Sequence, residues 1–392
     1  MNDSIVIVGF ARTAMGGMQG VFSDVPAPQL GGYAMAGALT DAGLASDQVD
    51  EVYMGCVLPA AMGQAPARQA SIAAGIPRSV PTTTVNKVCG SGLKTIILGH
   101  NSLMAKNADV VVAGGMENMT RAPYMLSKAR GGYRLGHGEI HDHMFLDGLQ
   151  DAFSGDLMGN FAEATADKYS FTRETQDAFA IESLARARNA IASGYFKREI
   201  VPVTLQTRKG DVLVDTDEQP GNAKPEKIPG LKPAFRKDGT VTAANSSSIS
   251  DGAAAVVLMR ESEAKARSLS PIARICGYAE HAQDPEWFTT APVGAVKKLL
   301  ERNNWSVADV DLFEVNEAFA VVTLAAMEDL SISHEKVNVH GGACALGHPL
   351  GASGARVLVT LLAALQTHNK QRGIATLCIG GGEGIAMGVE LI

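Results

Sequence analysis

The sequence predicts an α/β protein made of two copies of one unit, with a third, loop-rich segment inserted into the first copy. Three observations carry this reading. Apolar strand-like runs alternate with helical stretches, three short blocks recur in the same order in both halves, and one long stretch has no counterpart in the second half. At 392 residues the chain exceeds one ordinary core, so two or three domains are expected. A hydrophobic share of 46% with 19% charged residues excludes a disordered chain, and 42 glycines point to many tight turns or close backbone approaches.

The repeat is read block by block. Leu39, Val49 and Asp50 of LTDAGLASDQVDEV pair with Leu300, Val310 and Asp311 of LERNNWSVADVDLF. Val85 and Asn86 then pair with Val337 and Asn338, and Gly114, Gly115 and Glu117 of ADVVVAGGMEN pair with Gly380, Gly381 and Glu383 of GIATLCIGGGEG. Each copy reads helix, strand, helix, strand, and runs 110–113 and 376–379 are apolar enough to be buried on both sheet faces. After Glu383 the second copy enters a last strand, 385–391, whereas the matching run of the first copy, 253–259, arrives only after the insertion. That insertion holds one clear helix, opened by Thr172, carrying Ala178, Ile181, Leu184 and Ile191 on one face and closed by Gly194. The expected division is 1–117 plus 250–270, an inserted segment 118–249, and 271–392.

Charge and cysteine usage narrow the function. The opening MNDSIVIVGFART lacks the basic n-region and long apolar core of a secretory signal, and no apolar stretch is expected to reach the roughly 18 residues of a membrane span. A cytoplasmic protein that does not enter a membrane is therefore expected. Five cysteines without a CxxC favour neither a disulfide framework nor a zinc site, so reduced thiols and no metal are expected. A net charge of −7 argues against nucleic-acid binding. Within 197–237, however, nine Lys or Arg face six Asp or Glu, either a solvated surface or a patch for an anionic ligand.

Four motifs carry candidate chemistry. Cys89 in VNKVCGSGL precedes a helix with Leu93, Ile96, Ile97 and Leu103 at helical spacing. There backbone N–H groups point at the sulfur and favour a thiolate; a pKa lowered by about 1.5 units would leave it about half ionised at neutral pH. A small buried cysteine in a tight turn is the competing reading. His348 in GHPLGASG is held between Gly347 and Pro349 before another helix, placed in the second copy much as Cys89 is in the first. Facing Cys89, it would accept the thiol proton. Asn316 in EVNEAFA ends a strand, and either caps a helix starting at Glu317 or positions a donor for developing negative charge. In CIGGGEG, Gly380 could present its N–H to an oxyanion, with Cys378 near enough to move a proton. The absence of GxxxxGK[ST] and of a following helix speaks against a nucleotide phosphate loop.

Taken together, VCGSG, NEAFA, GHPLGASG and CIGGGEG resemble the thiolases, most closely the biosynthetic acetyl-CoA acetyltransferases. The resemblance extends over essentially the whole chain, through RTA at Arg12, AGGMENMTRAPY, DTDEQP and NSSSISDGAAAVV. It implies the thiolase fold, duplicated βαβαβαββ domains with two five-stranded sheets in five α-β-α-β-α layers, a loop domain that binds coenzyme A, and a homotetramer. It also implies a reversible Claisen condensation of two acetyl-CoA to acetoacetyl-CoA and CoA, with coenzyme A as substrate and product and no other cofactor. By resemblance, Cys89 takes the acetyl group, His348 removes its proton, the N–H groups of Cys89 and Gly380 hold the acyl oxygen, Cys378 removes the α-proton, and Asn316 holds a water beside the enolate. Ser247 matches the pantetheine loop, and Met158, Ala318 and Phe319 match the acyl pocket.

The sequence departs from the family pattern at Leu157 in DLMGNF, where many relatives have His, and in EQPGNAKPEK, which lacks an Arg near the adenosine phosphates. The alternatives are a broader 3-ketoacyl-CoA thiolase working mainly in degradation, a ketoacyl synthase of the same superfold, and a thiolase-like binder without turnover. The second cysteine at 378 disfavours the synthase, and all four catalytic motifs disfavour the binder.

Overall fold

The computed structural model describes residues 3–392. Strand Ile5–Arg12 is buried at every position, as expected for a run in the middle of a sheet covered on both faces. On one side of it lie Ser250–Arg260, Val110–Asn118, Glu51–Gly55 and Thr82–Val85, the last three mutually parallel. On the other side lie Ala273–Ala282, Glu383–Leu391, Arg372–Ile379 and Leu312–Val315. The two halves meet where Val6 and Ile7 pair with Arg274 and Ala273, so both belong to one continuous sheet, which Gly16–Gly17 joins as its tenth strand.

Helices complete the five layers. Ala27–Ala42 and Pro66–Ala73 cover the outer face of the first half, and Ala291–Asn303 and Ala320–Leu330 that of the second. Between the halves lie Ser91–Met104 and Leu350–Thr367, packed on each other and on both sets of strands. This central position corrects the expectation about long apolar stretches. Helix Leu350–Thr367 is long and apolar enough to cross a membrane, but 89% of it is buried inside the protein, because a helix enclosed on all sides has no face to make polar.

The repeat recurs in the hydrogen bonds. Asp50 accepts from the N–H groups of Asp109 and Val110, and Asp311 likewise from those of Gln371 and Arg372. The third sequence block, however, needs a shift of four residues. Met54 lies opposite Gly114 and Val315 opposite Thr376, so the counterpart of Gly114 is Thr376 rather than Gly380. The glycines serve different needs. A Cβ on Gly115 would lie 1.9 Å from the Gly351 carbonyl oxygen, whereas Gly380 follows the end of its strand. The fifth strand of the second half is reduced to a single bridge between Phe313 and Val337. Asn338 turns the chain at φ +47°, and its amide replaces the strand, accepting from Val315 N and donating to Val315 O at 2.8 Å each.

The inserted segment is tied to the first strand by a buried charge cluster. Arg12 grips Asp217 with two hydrogen bonds of 2.7 and 2.8 Å and also reaches Glu199. Helix Arg173–Ala192 begins as expected, with Thr172 accepting from Thr175 N. Its buried face differs from the expected one: Phe179, Ala180, Ser183, Leu184, Ala187 and Ala190 pack inward while Ala178 is exposed. The basic excess is also dispersed. Arg198 pairs with Asp41, Arg236 pairs with Asp167, and Lys224 and Lys227 line a cavity.

Candidate active site

Two turns, each opening a central-layer helix, define the site. In the first, Val88 adopts φ +44°, an uncommon conformation for a β-branched residue that stores strain and turns the chain sharply before Cys89. Ser91 locks the turn, accepting from Lys87 N and donating to Val88 O. In the second, Gly347 adopts φ +101°, and a Cβ there would lie 2.0 Å from the Ser250 hydroxyl. His348 follows, its N–H bonded to Ser248 O at 3.1 Å.

Both turns open onto one cavity of about 360 Å³ with a mostly apolar wall, lined by Cys89, His348 and Gly380 together with Met158, Ser247, Ala318 and Phe319. Thus seven of the nine site residues expected from the sequence share one cavity. The other two stand directly behind it. Asn316 Nδ2 lies 3.4 Å from His348 Nε2, and Cys378 is fully buried in strand Arg372–Ile379, close enough to Cys89 for the charge of one sulfur to act on the other. Asn316 caps no helix starting at Glu317, because the helix begins at Ala320.

The imidazole has a defined tautomer. Ser353 Oγ has a single proton, which it donates to Pro349 O, so it accepts from His348 Nδ1 at 2.5 Å. Nε2 therefore carries the lone pair, which faces the Asn316 amide. The amide of Asn316 is oriented in turn by Arg356, whose guanidinium lies 3.4 Å from Oδ1. Burial pushes the His348 pKa down to about 3, with the Arg356 charge adding to the effect.

Electrostatics correct the expectation of a resting thiolate. The N–H groups of Gly380 and of Cys89 itself lie near enough to the sulfur to favour its anion. Burial outweighs them and pushes the Cys89 thiol up to about 11. Burial, followed by the Cys89 charge, holds Cys378 well above the ordinary thiol range. All three shifts favour neutral forms, two thiols and a neutral imidazole. A second cavity of about 300 Å³ adjoins the first through Ala243 and Ser248, with Lys224 and Lys227 on its wall.

Comparison with known proteins settles the family. The N-terminal thiolase domain matches residues 5–262 and the C-terminal thiolase domain residues 269–391. The chain belongs to the thiolase family. Acetyl-CoA acetyltransferases of Pseudomonas aeruginosa and Escherichia coli are each 51% identical to this thiolase over 387 residues, 98% of both chains. A Schizosaccharomyces pombe acetyl-CoA acetyltransferase is 45% identical over the full length. Among solved structures, the Bacillus anthracis acetyl-CoA acetyltransferase superimposes with a TM-score of 0.97 at 40% identity, covering all of both chains. The Acat5 thiolase of Ascaris suum, solved with coenzyme A, gives 0.94 at 41% identity, covering 99% of this chain and all of that one.

Several residues that shape this thiolase site escaped the sequence reading. Ser353 lies inside GHPLGASG, five positions after His348, and the ambiguity of a serine in a glycine-rich turn hid its role. Arg356 and Glu314 form a buried pair at 3.5 Å behind Asn316, and burial raises the Glu314 pKa to about 8. Glu117, raised to about 7 by burial, accepts from Val57, Leu58 and Gly351 N–H groups and so ties the start of the His348 helix to the first half. Phe235 and Phe288 complete the cavity wall around Phe319. Leu157, at the first departure from the family pattern, lines the same cavity.

Proposed function

We propose that this thiolase is an acetyl-CoA C-acetyltransferase, condensing two acetyl-CoA to acetoacetyl-CoA and CoA through an acetyl group on Cys89. The observation that carries the reading is the convergence of His348 and Cys89 on a single apolar cavity, with the Cys378 thiol buried behind Cys89 and the backbone N–H groups of Cys89 and Gly380 beside the Cys89 sulfur. Each group then has a step it can perform. Cys89 Sγ attacks the thioester carbon while His348 Nε2 takes its proton, and the oxyanion rests on the N–H groups of Cys89 and Gly380. Proton balance gives Cys378 its role. The departing CoA thiolate takes the Cys378 proton, leaving a thiolate base for the α-carbon of the second acetyl-CoA. The imidazolium, with a water held by Asn316, faces the enolate oxygen. When the enolate attacks the acyl carbon, Cys89 leaves and recovers its proton from His348.

So many groups are needed because an α-proton beside a thioester is a poor acid. General base catalysis contributes roughly 10²–10⁴ in rate, and an oxyanion donor adds about 3–4 kcal/mol. The two adjoining cavities suit a long ligand, with acyl group and pantetheine along Ser247 in the first and the anionic nucleotide near Lys224 and Lys227 in the second. We read the inserted segment 118–249 as the coenzyme A domain on that basis. No further cofactor enters the scheme. Five unpaired thiols suit a reducing compartment, and we place the protein in the cytoplasm.

The aromatic wall of Phe235, Phe288 and Phe319 favours short acyl groups. A panel of 3-ketoacyl-CoA esters tests this. Acetoacetyl-CoA is expected to be cleaved with the highest kcat/KM, with activity falling as the chain lengthens; uniform cleavage along the series would favour the broader degradative thiolase.

A further inference from the structure

We infer that Lys87 and Glu383 are positioning residues, forming an ionic clamp that holds the Cys89 turn and the Gly380 turn at the separation the oxyanion site requires. The inference rests on the reading of Cys89 as the acylated thiol. Cys89 and Gly380, whose N–H groups both favour the Cys89 anion, line one cavity from different halves of the molecule, Cys89 from the first and Gly380 from the second. Their separation is therefore set by how the halves dock, not by one continuous turn. A preorganised site loses rate steeply with misplacement, about 10²-fold for roughly 1 Å.

Lys87 stands two residues before Cys89, and its ammonium pairs with Glu383, three residues after Gly380. The same ammonium lies 3.4 Å from Glu280, on the strand paired with Glu383–Leu391. Glu280 also accepts from Lys94 at 2.8 Å, on the helix that Cys89 precedes. Two cations of the first half thus interlock with two carboxylates of the second. Apolar packing fixes the junction one residue earlier, where a Cβ on Gly90 would lie 2.4 Å from Ile379 Cδ1, but around Gly380 itself a Cβ would meet only Met158 Sδ at 3.3 Å and a Val88 methyl at 3.8 Å, which leaves the Gly380 turn to the clamp. All four charged side chains are partly exposed, so the clamp adds little to global stability. Its effect falls on geometry beside the sulfur, and no group in it touches the cavity wall.

The test is the rate of the single acylation step, read as the burst of CoA released when acetyl-CoA meets the enzyme, in wild type, K87M, E383Q and K87R. Both K87M and E383Q are expected to acylate roughly tenfold more slowly, with KM and the melting temperature close to wild type, because positioning acts on the transition state. K87R keeps the charge and should recover most of the rate. Raising salt from about 0.05 to 1 M should slow wild type toward K87M while leaving K87M unaffected. Acylation by K87M and E383Q within about twofold of wild type, or a K87R rate as low as that of K87M, would overturn the inference. Should K87M fail to fold, E383Q reads the same pair from its other side. A wild type that takes no acetyl group on Cys89 would instead refute the proposed function, independently of the clamp.

Discussion

In the proposed mechanism Cys89 starts as a thiol awaiting a base rather than as a stored thiolate. Its two N–H donors stabilise the anion, but the desolvation of a buried sulfur is the larger effect and raises its pKa to about 11. In the proposed mechanism nucleophilicity is created when substrate arrives, by proton transfer to Nε2 of His348, the nitrogen that Ser353 does not hold. A pH consequence follows. Alkylation of Cys89 in the free enzyme should rise about tenfold per pH unit from neutrality to pH ~10, because the thiolate fraction grows that way below the pKa. Mass spectrometry of iodoacetamide-treated protein checks it, and a plateau near neutral pH would reveal a thiolate–imidazolium pair instead. The residue types of the site were legible in the sequence, since Cys, His and Asn each stand at a strand end or a glycine-rich turn. The direction of the thiol shift was not legible, because it depends on how deeply the tertiary structure buries the sulfur.

At the scale of elements, the helices Ser91–Met104 and Leu350–Thr367 begin at the two turns that open onto one cavity. Their close approach to the strands needs glycine. Replacing Gly115 by Ala would put a Cβ 1.9 Å from a backbone oxygen of Gly351, just after the His348 turn. The helix start would have to move, at a stability cost of about 3 kcal/mol or more, since backbone cannot yield as a flexible side chain can. Denaturant unfolding of G115A should show that loss together with reduced turnover; unchanged stability would mean the layers are less tightly fixed than the backbone contacts indicate. Strand and helix runs in the two halves were readable from apolar patterning. The shifted third block and the strand replaced by the Asn338 amide were not, because short glycine matches carry little register information and a side chain can imitate a backbone.

For the whole molecule, duplication accounts for both the layering and the location of the site at the seam between halves. It does not account for the excursion at 124–142, where Tyr124, Leu126, Leu135 and Ile140 stand exposed on an extension of the inserted segment. Exposed apolar side chains of this kind suit burial against another protein surface, such as a second copy of the chain. Light scattering of a variant with Leu126, Leu135 and Ile140 changed to Ser should then report a smaller assembly than wild type; an unchanged mass would assign the patch elsewhere.

The most direct test of the account as a whole separates the two thiols. Intact-protein mass spectrometry after mixing with acetyl-CoA should show one acetyl group on wild type and on C378A, where the departing CoA thiolate takes its proton from water instead, and none on C89A. In the same samples, condensation and thiolysis by C378A should fall by roughly 10²–10⁴, as loss of a general base requires. Should acyl-enzyme formation and overall turnover in C378A decline in equal proportion, Cys378 is not the base of the second step, and the division of labour between the two sulfurs is wrong.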